Sequence, residues 1–208
     1  MGLISSTHSI CRYHIEGEVQ SSIIDVVKNG LIQNKIPDVQ SEYEVVSAGW
    51  VPFESPYNPD FEKFGFEFGT NFVFSLRIDK KTIPPSLIQK HMAIELEKAK
   101  LNFNTIFISK NHKAEIKQKV IDDLIKKIVF IPYLYDVLWD YENKNLYLFT
   151  TQKKVNEFFV TLFLKSFDLK PFRIFPYTLI EKKLRFSNSH KDKIYSLAPL
   201  KYVRENHA

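Results

Sequence analysis

Asp136, Asp140 and Glu142 alternate along one side of an extended segment, opposite Tyr135, Val137, Trp139 and Tyr141. Carboxylates so grouped could hold Mg²⁺ for phosphodiester hydrolysis in the two-metal manner. The same pattern is what the solvent side of a half-buried strand supplies for solubility alone, and Glu142 also belongs to a turn. Cys11 and His14 have a C-x-x-H spacing, with His8 nearby. Strand positions three apart point to opposite faces, so this pair does not suit a shared metal. His91, His112, His190 and His207 add no ligand spacing. Nucleophilic catalysis lacks a G-x-S-x-G elbow, and the six glycines form no phosphate-binding loop. The residues therefore lead to no catalytic group, metal or cofactor, and a metal-dependent nuclease built on Asp136, Asp140 and Glu142 stands as the alternative.

Positive charge is the remaining chemistry. Lys110, Lys113 and Lys117 share one face of a helical segment, with Lys119, Lys126 and Lys127 on flanking positions. Arg77, Lys80 and Lys81 mark a strand-to-helix turn. Lys182, Lys183, Arg185, Lys191, Lys193, Lys201 and Arg204 crowd the C-terminal end. The net charge of +5 is modest, and a lysine-rich helix is by default a solvated face. Three separate clusters nonetheless suit sequence-independent phosphate contact, which needs charge and no base-reading code. The aromatic residues are abundant, but most fall at core spacings, which argues for packing rather than base stacking.

The elements that must position these groups read as follows. At 208 residues and 44% hydrophobic, the chain can bury a core as one domain or two small ones. No window reaches the ~18 uninterrupted apolar residues that span a bilayer. The N-terminus lacks a basic region followed by an apolar stretch, so no secretory signal is expected. A single cysteine, Cys11, excludes an intrachain disulfide and fits a reducing cytoplasm.

Residues 9–15 read as a strand, and Val19, Ile23, Val26, Val27 and Ile32 follow at helical spacing until Pro37. Residues 43–51 read as a second strand, followed by a proline-bearing loop over 52–63. Residues 66–78 alternate as one long half-buried strand running into the basic turn and Pro84-Pro85, which open a helix to about residue 100. Residues 101–109 fit either strand or connector. Residues 110–128 form an amphipathic helix with Ile116, Val120, Ile121, Leu124, Ile125 and Ile128 as its stripe. A hairpin over 134–150 turns around Glu142-Asn143-Lys144-Asn145, and Thr150 or Thr151 caps a helix carrying Val155, Phe158, Phe159, Leu162 and Phe163. Residues 172–180 read as the last strand. The order predicts an α+β fold with mainly antiparallel sheet in two related sub-halves, residues 1–105 and 106–180, then a basic tail over 181–208.

Several segments, in this order, resemble the recombination-associated RdgC family. They are Gly49-Trp50-Val51-Pro52; Leu76-Arg77-Ile78-Asp79-Lys80-Lys81-Thr82-Ile83-Pro84; the lysine-rich helix from Lys110 leading through Pro132 to Val137-Leu138-Trp139-Asp140; Asn145 to Thr150 with its following helix; and Pro171 to Pro176. The resemblance covers roughly residues 8–178. It implies a nucleoid-associated, cytoplasmic DNA-binding protein rather than an enzyme: a homodimer surrounding duplex DNA without sequence preference and antagonising RecA-driven recombination. Taken with the basic clusters above, Arg77, Lys80, Lys81, Lys110, Lys113, Lys117, Lys182 and Lys183 are the expected DNA contacts, the last two lying beyond the stretch that the resemblance covers. Two departures accompany it. Family members continue for about another hundred residues that help close a ring, so an open dimer or another assembly is the expectation here. Where relatives carry arginines near the end of the lysine-rich helix, this chain has Phe130-Ile131-Pro132-Tyr133-Leu134-Tyr135. A protein-interaction module that keeps the fold but has lost DNA binding is the remaining rival.

Overall fold

The computed structural model describes residues 2–19, 21–37, 44–103, 107–175 and 178–179. In chain order the elements are β1 (Cys11–Glu16), α1 (Ile23–Gln33), β2 (Val46–Pro52), β3 (Glu67–Phe68), β4 (Asn71–Lys80), α2 (Pro85–Phe103), α3 (Lys110–Lys127), β5 (Ile131–Asp140), β6 (Asn145–Leu148), α4 (Lys153–Phe167) and β7 (Lys170–Arg173). The fold is α+β. Among the described residues one curled sheet runs β2-β4-β5-β6-β1-β7, with β3 paired to β4, and all its strand pairs are antiparallel. Strands from both sub-halves share this sheet, because β4 and β5 pair along their whole lengths.

The inner face is set by strand alternation. Tyr13, Trp50, Phe74, Leu76, Val137, Trp139, Leu146 and Leu148 are all buried there. Helix α4 lays Val155, Phe159, Phe163 and Phe167 onto it, and α1 adds Val27 and Leu31. Several of the aromatic rings meet edge to face, as the quadrupole prefers: Trp139 and Phe163 lie 5.1 Å apart, Trp50 and Phe74 5.1 Å. Such pairs contribute about 0.5–1.5 kcal/mol each beyond area burial. Polar pins fix the helix on the sheet: Trp50 Nε1 donates to Ser166 Oγ at 2.8 Å, and the Tyr13 hydroxyl donates to Asn156 Oδ1.

Three sequence expectations change. The run from Phe66 is the short strand β3 folded back as a hairpin onto β4 rather than one strand, because Gly69 adopts a φ of 62° and turns the chain between Phe68 and Asn71. Strand β4 is not half-buried: Val73, Ser75 and Asp79 on its outer side are covered as fully as Phe74 and Leu76. The segment before β3 reaches that side at Arg77, through Pro56 and Tyr57, and the Leu3 amide bonds Asp136 beside it. At the start of α4 the N-cap is Gln152. Thr150 acts one step earlier, accepting the Gln152 amide on Oγ1, while the Asn156 side chain bonds back to the Gln152 carbonyl.

The outer edge of β2 is covered by the chain leaving α1. Trp50 donates to Asn34 O at 3.0 Å and Ile36 donates to Trp50 O at 3.1 Å. Gly49 makes this possible, since a β-carbon there would meet the backbone of Ile36 and Lys35. The edge is thereby protected from pairing with another chain.

Helices α2 and α3 form the connection between β4 and β5, so they leave the sheet where Lys80 pairs Ile131 and return to the same point. They pack chiefly on each other through a thin stripe, with Ala99, Val120 and Leu124 buried. Ser109 Oγ accepts the His112 amide and caps α3, and residues 101–103 extend α2. No helix among the described residues is long and apolar enough to cross a membrane.

Candidate nucleic-acid interface

Lys110, Lys113 and Lys117 are exposed along α3. At about 100° per residue they fall within an arc of roughly 60° and extend over ~10 Å of the axis. The acids of the same helix, Glu115, Asp122 and Asp123, fall on the rest of the wheel. They have their own occupations: Glu115 pairs His112 at 3.4 Å and Asp122 accepts from Gln118 at 2.8 Å. The lysine face is therefore not neutralised by its own helix. Lys113 Nζ lies 5.8 Å from the centre of the Phe107 ring, which is 80% exposed just before the helix. Lys119 and Lys127 look instead into a groove of about 630 Å³ between α2 and α3. There Glu95, Glu115 and Asp123 balance Lys98, Lys119 and Lys127.

The turn after β4 is assembled differently. Lys80 is exposed at the base of the helical pair. Lys81 is buried, with its ammonium 4.7 Å from the Phe130 ring centre. Arg77 sends Nε and Nη2 to the two oxygens of Asp79, both at 2.7 Å, a bidentate pair. Its Cζ lies 5.7 Å from the Tyr57 ring centre, and Nη1 reaches Pro56 O. Asp79 is only 1% exposed, so this pair locks the end of β4. The Lys80 and Lys110 clusters stand at opposite ends of α3, roughly 25 Å apart along its axis. Lys182 and Lys183 lie outside the described residues, as do the other basic residues of the tail.

Two carboxylates of the nuclease alternative, Asp136 and Asp140, are engaged within the fold, while Glu142 is exposed in the β5–β6 turn. Asp136 accepts the Leu3 amide on Oδ2 at 2.7 Å and the Ser75 hydroxyl on Oδ1 at 2.8 Å. Asp140 accepts the amide and the side chain of Asn143 and so shapes the β5–β6 turn, where Lys144 takes a φ of 54°. Four residues of strand place Asp136 and Asp140 about 13 Å apart, too far to share metals ~4 Å from each other. Among the described residues, no three His, Cys, Asp or Glu groups are arranged to hold a metal ion. Cys11 is buried in the core while His14 lies on the opposite face, as the alternation requires.

Sequence reasoning did not mark the outer face of β6, β1 and β7. Arg12 lies beside Tyr147 there, and His14 between Asn145 and Phe172. No family model matches the chain, and no curated protein matches it.

Proposed function

We propose that this protein binds DNA through its phosphates, without reading sequence, using the one-sided lysine face of α3 with Lys80 at its base. The observation that carries this reading is the segregation of Lys110, Lys113 and Lys117 from every acid of their helix. A surface of that kind releases counterions from a duplex and needs no groove-reading side chain. The contacts extend over roughly 25 Å, about seven base pairs at ~3.4 Å each. Arg77 and Lys81 support this surface by fixing the turn from which the helical pair rises, and Lys182 and Lys183 would add charge from the tail. The resemblance to the RdgC family extends the reading to a cytoplasmic, nucleoid-associated homodimer that acts on recombining DNA and antagonises RecA.

The test is fluorescence anisotropy with a labelled duplex of arbitrary sequence. The wild-type protein should bind scrambled duplexes equally. The Lys110→Gln/Lys113→Gln/Lys117→Gln variant should lose affinity by a similar factor on all of them. Unchanged affinity in that variant, with its helical content intact by circular dichroism, overturns the assignment.

A further inference from the structure

Strand alternation puts Trp139 on the inner face of the sheet, where Phe72, Phe163 and Phe167 pack around its ring. None of these rings brings an acceptor to the indole N–H. Trp50, the other tryptophan, is as fully buried but donates to Ser166 Oγ at 2.8 Å. Among the described residues, Trp139 Nε1 is the one buried side-chain nitrogen or oxygen without a hydrogen-bond partner. Buried polar groups of folded chains are overwhelmingly paired, so this N–H marks a place where an acceptor is missing.

Trp139 also lines a cavity of about 220 Å³. Ile15, Val19 and Leu169 make its apolar walls, while Glu18 and Lys144 stand exposed at its mouth. The backbone holds this space open. The Ile15 amide donates to Lys144 O at 2.9 Å, tying the β5–β6 turn to β1. Gly17 takes a φ of 128° as the chain leaves β1, and this brings Glu18 and Val19 to the cavity edge. An apolar cavity of roughly 150 Å³ is enough for benzene, so one substituted ring fits here.

The lining selects the kind of occupant. A buried water wants about two to four polar partners; Trp139 offers one, and Ile15, Val19 and Leu169 offer none. A carbonyl oxygen needs only that N–H, and an apolar body suits those walls. Glu18 and Lys144 are opposite in charge, so together they favour neither an anion nor a cation. We propose that this cavity is a binding site for a small, flat, uncharged molecule whose carbonyl oxygen accepts the Trp139 Nε1–H. The site is independent of the lysine face, because no residue of α2 or α3 lines it.

The chain has two tryptophans, so a proton–nitrogen correlation spectrum carries two indole signals, and Trp139→Phe removes one and thereby assigns it. Acetophenone, one carbonyl on a flat ring, is the probe. Ethylbenzene is its counterpart without an acceptor. In the wild-type protein acetophenone should move the Trp139 indole proton downfield and leave that of Trp50 in place, whereas ethylbenzene should give no such shift. In Trp139→Phe the affinity for acetophenone relative to ethylbenzene should fall about ten-fold, the worth of one buried hydrogen bond. Val19→Phe fills the cavity and should abolish the acetophenone shift. A wild-type Trp139 signal that acetophenone leaves unmoved, or a Trp50 signal that moves alike, overturns the proposal whether or not the variants fold. An unchanged affinity ratio in folded Trp139→Phe overturns it too. Tighter binding of benzoate than of acetophenone overturns the assignment to an uncharged ligand.

Discussion

Replacing Arg77 separates a structural role from a DNA-contacting one. In Arg77→Ala the Asp79 carboxylate, 1% exposed, loses both bonds of the guanidinium fork. Breaking a buried ion pair by removing one partner costs about 3–5 kcal/mol. The lower end applies here, because the Arg77 side chain is 19% exposed and Asp79 has further contacts. Asp79→Asn should cost less, about 1–3 kcal/mol, since Arg77 keeps the Tyr57 face, the Pro56 carbonyl and access to water. Arg77→Met with Asp79→Leu should be cheaper than the sum of the single replacements, because no charge is left stranded. Urea unfolding at constant m-value measures all three. The salt dependence of duplex binding completes the test. If Arg77 only holds the turn, the slope of log K against log salt stays the same in Arg77→Ala, whereas losing a phosphate contact would lower it by about 0.9. A cost below about 1 kcal/mol, or strict additivity in the double variant, refutes the structural role.

Other residues make equally definite predictions. Burial, reinforced by Cys11 and opposed by Arg173, pushes the Tyr13 hydroxyl from 10.0 up to about 12. The neutral phenol is the folded form, so its contribution is intact below about pH 10. It is then lost as pH rises towards about 12, by up to ~2–3 kcal/mol. Comparing the pH dependence of urea midpoints with that of Tyr13→Phe isolates this effect, and parallel curves would contradict it. Gly49→Ala drives a β-carbon into the backbone of Ile36 and Lys35, which cannot rotate away. It should lower stability by about 1–3 kcal/mol and speed amide exchange at Ile36 and Trp50; a neutral result would show that the 34–36 segment does not seal β2. Trp50 and Trp139 are both fully buried, but Trp50 Nε1 bonds Ser166 whereas Trp139 Nε1 has no hydrogen-bond partner. Trp139→Phe should therefore be about 1–2 kcal/mol milder than Trp50→Phe, and equal unfolding costs would contradict this.

Much of the frame was legible from local pattern. The stripe through Val120 and Leu124 announced α3, and the alternation of Phe72, Phe74, Leu76 and Ile78 announced the inner face of β4. What the pattern did not carry was anything set by long-range pairing. Val73, Ser75 and Asp79 are polar or small enough to read as a solvent side, yet Leu3 and the Pro56–Tyr57 turn cover that side from far along the chain. Lys81 reads as a solvated charge, but the β4–β5 register returns residues 129–131 to the same turn and buries it beside Phe130. The charge cluster at that turn thus resolves into one exposed lysine and two cations occupied within the fold. The cavity beside Trp139 forms where β1 inserts between β6 and β7, which no local spacing encodes.

The claim that the α3 face and Lys80 bind DNA through phosphates is tested most directly by the salt dependence of duplex affinity. The four lysine contacts of this surface contribute about −3.6 to the log–log slope, and Lys113→Gln/Lys117→Gln should make the measured slope shallower by about 1.8. A wild-type slope shallower than about −1, or no binding at roughly 20 mM salt, would contradict the account.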